Sequence, residues 1–401
     1  KSKGGLTPLG KALVAAAEWG RSDPRLLLLL ARLHAARADV VTRQGKDAAA
    51  LVVTAQAALD RAARLDPDSP AVLVAQATLL MDSERLAANY LREGGLPRLR
   101  RAVDLMRRAT ALTPEDVGAR TLLMRAHLRL GRYLLETGLP CQEPLDDGIA
   151  VLAATVPLAS SDPEVRETGA ALLLEKGRNL VQMGRDGGEA LRAAVREAEA
   201  ALLLDPPSPG GLRQTLSQAL MFSGHADWLA GVDPRPALAR SVVEAEATHR
   251  LDAGSFFGDY QAVYVLGMAS WTLIEMGAGG EARPLLSRAL EVVDEARRAH
   301  PQQPLLPILH AQILLLEARR RLGGGEDPMP AVIASRKLLA EAARRMGNPA
   351  VASACLAILA RTGGSWRVAQ GRDPSAALGE AERGFRRFQA DAPTKLEGPL
   401  G

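Results

Sequence analysis

What most constrains this chain is its punctuation. Helix-like stretches end at Pro24, Pro67, Pro114, Pro163, Pro206, Pro301, Pro349 and Pro393, often as Asp-Pro or Thr-Pro, with gaps of 43, 47, 49, 43, 95, 48 and 44 residues. The gap of 95 is two periods, because "RLDAG" at 250 to 254 supplies a stop in which alanine replaces proline. A second mark, glycine followed closely by proline or aspartate, falls between the prolines, as in "TGLP" at 137, "GVDP" at 231 and "GRDP" at 371. Glycine takes the left-handed conformation that closes a helix, and aspartate before proline caps the next one. Two marks in each period of about 47 residues therefore predict a helical hairpin repeated along the whole chain.

The helix before each stop carries a further spacing, alanine, apolar, alanine, proline. It reads Ala55, Leu59, Ala62, Pro67, then Ala102, Met106, Ala109, Pro114, and recurs before Pro206 and Pro301. Steps of four and three place these residues on one helical face. Alanine there lets a neighbouring helix approach closely, so this face is read as the stacking seam. Composition agrees: 47% of residues are apolar but only 3% aromatic, which favours helices packed through small and aliphatic side chains. No segment alternates with the period of two that a strand requires.

These second-helix spacings resemble the tetratricopeptide repeat, with the period lengthened from 34 residues and the first-helix signature weak. "GVDPRPALARSVVEAEATHRLD" at 231 to 252 and "LDRAARLDPDSPAVLVAQ" at 59 to 76 are similar to the long-period repeats that follow the catalytic domain of many bacterial serine/threonine kinases. The resemblance implies an all-α fold, a right-handed superhelical solenoid of stacked antiparallel hairpins with about 17 helices. The expected organisation is a single solenoid over 1–392, with a lone helix at 8–20 and eight hairpins near 24–65, 69–112, 115–158, 163–204, 208–250, 256–299, 303–346 and 349–390. A polar tail occupies 393–401. Because Gly4, Gly5 and Pro8 match the hinge within a repeat, the chain is expected to start on a second helix, as a fragment or beside a covering N-terminal effector domain.

Other classes find little support. The formal charge of +4 comes from interspersed acids and bases, which does not suggest nucleic acid. Cys141 and Cys355 lie far apart with no spaced histidine nearby, so no metal site or disulfide framework is expected, and the compartment is read as reducing, hence cytoplasmic. "LLLLLARLHAA" at 26 to 36 is too short and polar for a membrane span. No glycine-rich phosphate loop, His-Arg-Asp, Asp-Phe-Gly or HExxH motif occurs, so neither catalysis nor a cofactor is expected of this chain.

The expected role is binding of a protein or peptide partner in a concave groove, as a scaffold or sensor region of a bacterial signalling protein. The alternatives are a regulatory arm on a caspase-like or other hydrolase, or a free adaptor. Candidate partner-binding residues begin with Tyr260 and Tyr264, one turn apart in "SFFGDYQAVYVLGMASW" at 255 to 271, which holds five of the thirteen aromatics. Packing in a wide gap between repeats is the competing reading of that patch. The resemblance, transferred from the stop prolines, adds Thr78, Arg125, Arg213, Ser217 and Gln312 to the inner face, with Arg125 and Arg213 as holders of a partner's carboxylates. Tyr90, Tyr133 and Trp228 each stand six or seven residues before a hinge proline and are read as core residues of the hairpin tips.

Overall fold

The computed structural model describes residues 23–43, 48–86, 95–204, 206, 209–252, 254–303, 305–346 and 350–391. The lone helix expected at 8–20, the polar tail and Tyr90 lie outside them. Sixteen helices and no strand occur among the described residues. In chain order they are Pro24–Arg43 (α1), Ala49–Leu65 (α2), Pro70–Leu86 (α3), Gly95–Leu112 (α4), Val117–Glu136 (α5), Gln142–Thr155 (α6), Pro163–Gln182 (α7) and Gly188–Leu202 (α8). Then come Pro209–Leu229 (α9), Arg235–Leu251 (α10), Phe256–Glu275 (α11), Gly279–Ala299 (α12), Leu305–Gly323 (α13), Met329–Met346 (α14), Ala350–Ala369 (α15) and Ser375–Asp391 (α16).

Backbone chemistry sets these boundaries. At Gly231 φ is 75°, and the amide of Val232 donates to the carbonyl of Asp227 at 2.8 Å, the closing bond of a left-handed helix end. The same bond recurs after Gly138, Gly184, Gly277, Gly325 and Gly371, each with positive φ. At the stop that lost its proline, α10 ends at Leu251 with Asp252 as its cap, and Gly254 takes φ 80° just beyond it. Aspartates before proline cap the succeeding helix: Asp162 Oδ1 accepts from the amide of Glu164 at 2.9 Å, and Asp23, Asp233, Asp327 and Asp373 do the same two residues on.

The chain divides into two compact units, residues 1–175 and 176–401, with the boundary inside α7. In the first unit, α1 packs on α2, α3 on α4 and α5 on α6 as hairpins, and α2 then packs on α3 and α4 on α5. First helices also meet one another, α1 with α3 and α3 with α5. The core of this unit is built around Leu73, Leu99, Met106, Met124, Leu145 and Leu172. The second unit repeats the scheme with hairpins α9/α10, α11/α12, α13/α14 and α15/α16, and a row of first helices α9, α11, α13 and α15. The alanine seam lies inside the stack: Ala55, Ala62, Ala102, Ala109, Ala194, Ala198, Ala201, Ala289 and Ala296 are fully buried. The structure is thus an all-helical stack of hairpins within each unit.

Candidate functional site

First helices are covered on most sides by their own second helix and by neighbouring hairpins, which leaves each a narrow strip facing solvent. On α11 the less buried positions are 256, 257, 260, 261, 264, 268, 271, 274 and 275, and from 257 onward they recur at steps of three and four along a single face. That strip carries Phe257, Tyr260, Tyr264, Met268 and Trp271. Phe257 is 70% exposed. The Tyr260 and Tyr264 rings lie parallel, 3° apart in plane and 6.5 Å between centroids, and Phe256 extends the array at 6.0 Å from Tyr260. Burial pushes the Tyr260 phenol up, with the Arg178 guanidinium acting in the opposite direction.

The strip continues sideways onto its neighbours. Gln261 is hydrogen-bonded to Gln218 of α9. Further along, the His225 ring of α9 stacks on Trp271 at 4.8 Å and leans on Trp228 at 5.3 Å. Burial lowers the pKa of His225, with the Glu275 carboxylate opposing. Trp271 Nε1 donates to Glu275 Oε1 at 3.2 Å, and Glu275 is bridged by Arg319 of α13 at 2.7 Å. α9 and α11 therefore share one aromatic and amide band, fixed at one end by a Trp–His–Trp stack, to which α13 is tied through the Arg319–Glu275 pair.

The remaining expected residues are dispersed. Thr78 is half-buried on α3. Arg125 projects from α5 and pairs with Glu164 of α7 at 2.9 Å. Arg213 turns to Glu244 of α10, its own hairpin's second helix, at 2.5 Å. Both cations already have a carboxylate from within the chain. Ser217 is 1% exposed and donates to the carbonyl of Gln214 at 2.9 Å, so its hydroxyl is spent internally. Gln312 is exposed on α13 and hydrogen-bonds the Cys355 thiol, whose pKa burial raises to about 11. Of the residues expected to bind, only Tyr260 and Tyr264 are brought together. Trp228 is half-buried in the histidine stack, and Tyr133 packs partly buried against the core of the first unit.

Phe257, Trp271 and His225 were not among the residues expected to bind, although the helical spacing of 257, 260, 264 and 271 carries the signal. Asp259, 4% exposed on the buried side of α11, stands between two imidazoles, His249 at 3.0 Å and His300 at 3.9 Å. Those three residues come from the end of α10, the start of α11 and the end of α12, so they tie successive hairpins together. Among the described residues no group of three or more His, Cys, Asp or Glu is arranged to hold a metal ion. No described helix is long and apolar enough to cross a membrane.

No family model matches the chain. No curated protein matches it either. Among solved structures it is similar to the human IFIT1 dimer with m7Gppp-AAAA, at 14% identity and TM-score 0.41, over 89% of this chain and 72% of that one. Yeast Tom70 matches at 12% identity and TM-score 0.19, covering 90% of this chain and 92% of that one. The TPR domain of P58(IPK) matches at 12% identity and TM-score 0.22, covering 90% and 99%. None of these likenesses bears on the ligand of this chain.

Proposed function

We propose that the chain is a non-catalytic recognition module that binds a protein partner through an extended peptide segment, laid along the first-helix row of residues 176–401. The observation that carries this reading is the aromatic strip of α11. A chain with thirteen aromatic residues in 401 places Phe257, Tyr260, Tyr264 and Trp271 on one partly exposed helical face. Aromatic rings of this kind give large, rigid contact area at low entropic cost, and the adjoining Gln218 and Gln261 amides suit a peptide backbone.

Charge supports a neutral or mixed partner over nucleic acid. Several cations on first helices are already engaged: Arg125 with Glu164, Arg132 with Glu175 and Arg319 with Glu275. Phosphate binding by such a surface would first require breaking those pairs. Within this reading the module serves as the scaffold or sensor portion of a signalling protein, of the type attached to bacterial kinases. A free adaptor or the regulatory arm of a hydrolase would use the same face.

Panning a random peptide library against the purified protein tests the site. Peptides enriched in apolar or aromatic residues are expected, with affinity reduced at least about tenfold by Tyr260→Ala/Tyr264→Ala, the loss of roughly 1.4 kcal/mol or more. Enriched peptides that bind the double variant equally well would rule out the α11 strip.

A further inference from the structure

Two clefts lie where a second helix stops and the next hairpin begins, and they differ in charge. In residues 176–401 one lies beside Pro301, about 430 Å³ in volume, and in residues 1–175 the other lies beside Pro67, about 320 Å³. Their walls correspond residue for residue: Asp294 and Asp60 each stand seven positions before the proline, and Arg298 and Arg64 three before it. In the Pro301 cleft the charges answer one another. Arg297 pairs with Glu341 at 3.2 Å, and Asp294 lies 3.5 Å from the His310 imidazole.

The Pro67 cleft has lost that balance. Three guanidinium groups line it, Arg64 from α2 and Arg101 and Arg108 from α4. Arg108 is held by the Asp68 carboxylate at 3.0 Å and the carbonyl of Pro67 at 3.2 Å. Arg64 and Arg101 have no carboxylate partner among the described residues. The acid in the wall, Asp60, is occupied by two neutral amides, Gln56 at 2.8 Å and Gln76 at 3.3 Å. Behind the arginines the lining is apolar, with Leu73 and Leu105 both buried.

We infer that the Pro67 cleft is a binding site for a phosphate monoester with a small apolar body. Three guanidiniums against the carboxylates of Asp60 and Asp68 leave a formal surplus of one positive charge, which favours an anion such as a phosphate monoester. Planar guanidiniums match its oxygens with paired, charge-assisted hydrogen bonds. The cleft volume falls in the range of small-molecule sites, larger than a bare ion needs, and Leu73 with Leu105 would cover the ester's apolar part. This site is separate from the α11 strip and does not depend on it.

The ester could be free or carried on a partner's side chain, and calorimetric titration of the full chain separates the two. The titrants are phenyl phosphate, inorganic phosphate, and a short phosphotyrosine peptide with its unphosphorylated form. Saturable one-site binding of phenyl phosphate, tighter than inorganic phosphate, is expected. Arg64→Gln/Arg101→Gln should weaken it at least about tenfold, while Arg298→Gln, the corresponding change in the Pro301 cleft, should leave it unaltered. A phosphopeptide that outbinds phenyl phosphate assigns the site to a modified partner, and the reverse order assigns it to a free ester. Absence of saturable binding by either ester, or equal affinity in the double variant, overturns the inference. Both arginines are exposed, so unchanged thermal melting of the double variant serves as the folding control. Phenyl phosphate binding that persists in Tyr260→Ala/Tyr264→Ala keeps this result distinct from that of the peptide site.

Discussion

His127 shows how burial at one residue reaches stability. It lies on α5, 2% exposed, beside the Arg107–Asp147 pair that bridges α4 and α6 at 2.6 Å. Burial first, and the Arg107 cation second, lower its pKa to about 4, while Asp147 and the carbonyl of Pro144 act the other way. The native state therefore refuses a proton that the unfolded chain accepts below about pH 6.5. Unfolded protein binds more protons over that interval, so stability falls as pH drops from about 6.5 to about 4 and is unaffected above it. The full shift corresponds to a cost of the order of 3 kcal/mol at the acid end. His127→Gln is expected to flatten the decline of the urea midpoint between pH 7 and pH 4.5. An unchanged decline would mean that this histidine is not held neutral by the fold. His225 and His310, also lowered by burial, keep part of the acid sensitivity in the variant.

At the scale of the helix pair, the first-helix register is fixed by a glycine that reads a leucine across the hinge. A Cβ on Gly177 would sit 2.5 Å from Leu191 Cγ and 3.1 Å from the Leu191 amide nitrogen, and one on Gly224 would sit 2.8 Å from Leu238 Cδ2. Gly131 with Leu145 and Gly364 with Leu378 are the same pair, always fourteen residues apart. Gly177→Ala is expected to cost about 1–3 kcal/mol through overpacking. For Gly224→Ala, adding Leu238→Ala should restore part of the loss, because the second change removes the clashing methyls, giving a favourable coupling in a double-mutant cycle. Simple additivity would argue against close approach as the reason for glycine. This pair explains what was legible in the sequence. Hinges and stops were, because Gly, Asp and Pro act on their own backbone, and so was the alanine seam, because its residues share one helix. The glycine and leucine pair was missed because its meaning lies between two helices. Tyr260 and Tyr264 stood out through local aromatic density. The engagement of Arg125 and Arg213 did not, because their acids lie on other helices, Glu244 being 31 positions from Arg213.

Across the whole stack of residues 176–401, successive second helices are joined by one recurring ion pair. Glu199 of α8 meets Arg240 of α10, Glu246 meets Arg288 of α12, Arg297 meets Glu341 of α14, and Arg336 meets Glu380 of α16. The partners stand 41, 42, 44 and 44 positions apart, close to one period, so each pair spans one interface between hairpins. Arginine suits this role, because its guanidinium reaches across to a carboxylate with directed hydrogen bonds. A single partly exposed pair is worth only about 0–1 kcal/mol. In a repeat array, however, stability is a sum of hairpin terms and nearest-neighbour interface terms, and weakening several interfaces at once lowers cooperativity as well as stability. The triple variant Arg240→Gln/Arg288→Gln/Arg336→Gln is expected to melt several degrees lower at low ionic strength, over a broader transition. Raising salt to about 1 M, where the screening length is near 3 Å, should bring the parent protein down toward the variant. A melting difference that stays constant across that salt range would show that the arginine stems act by packing their methylenes, and that the charges contribute nothing to holding the hairpins in line.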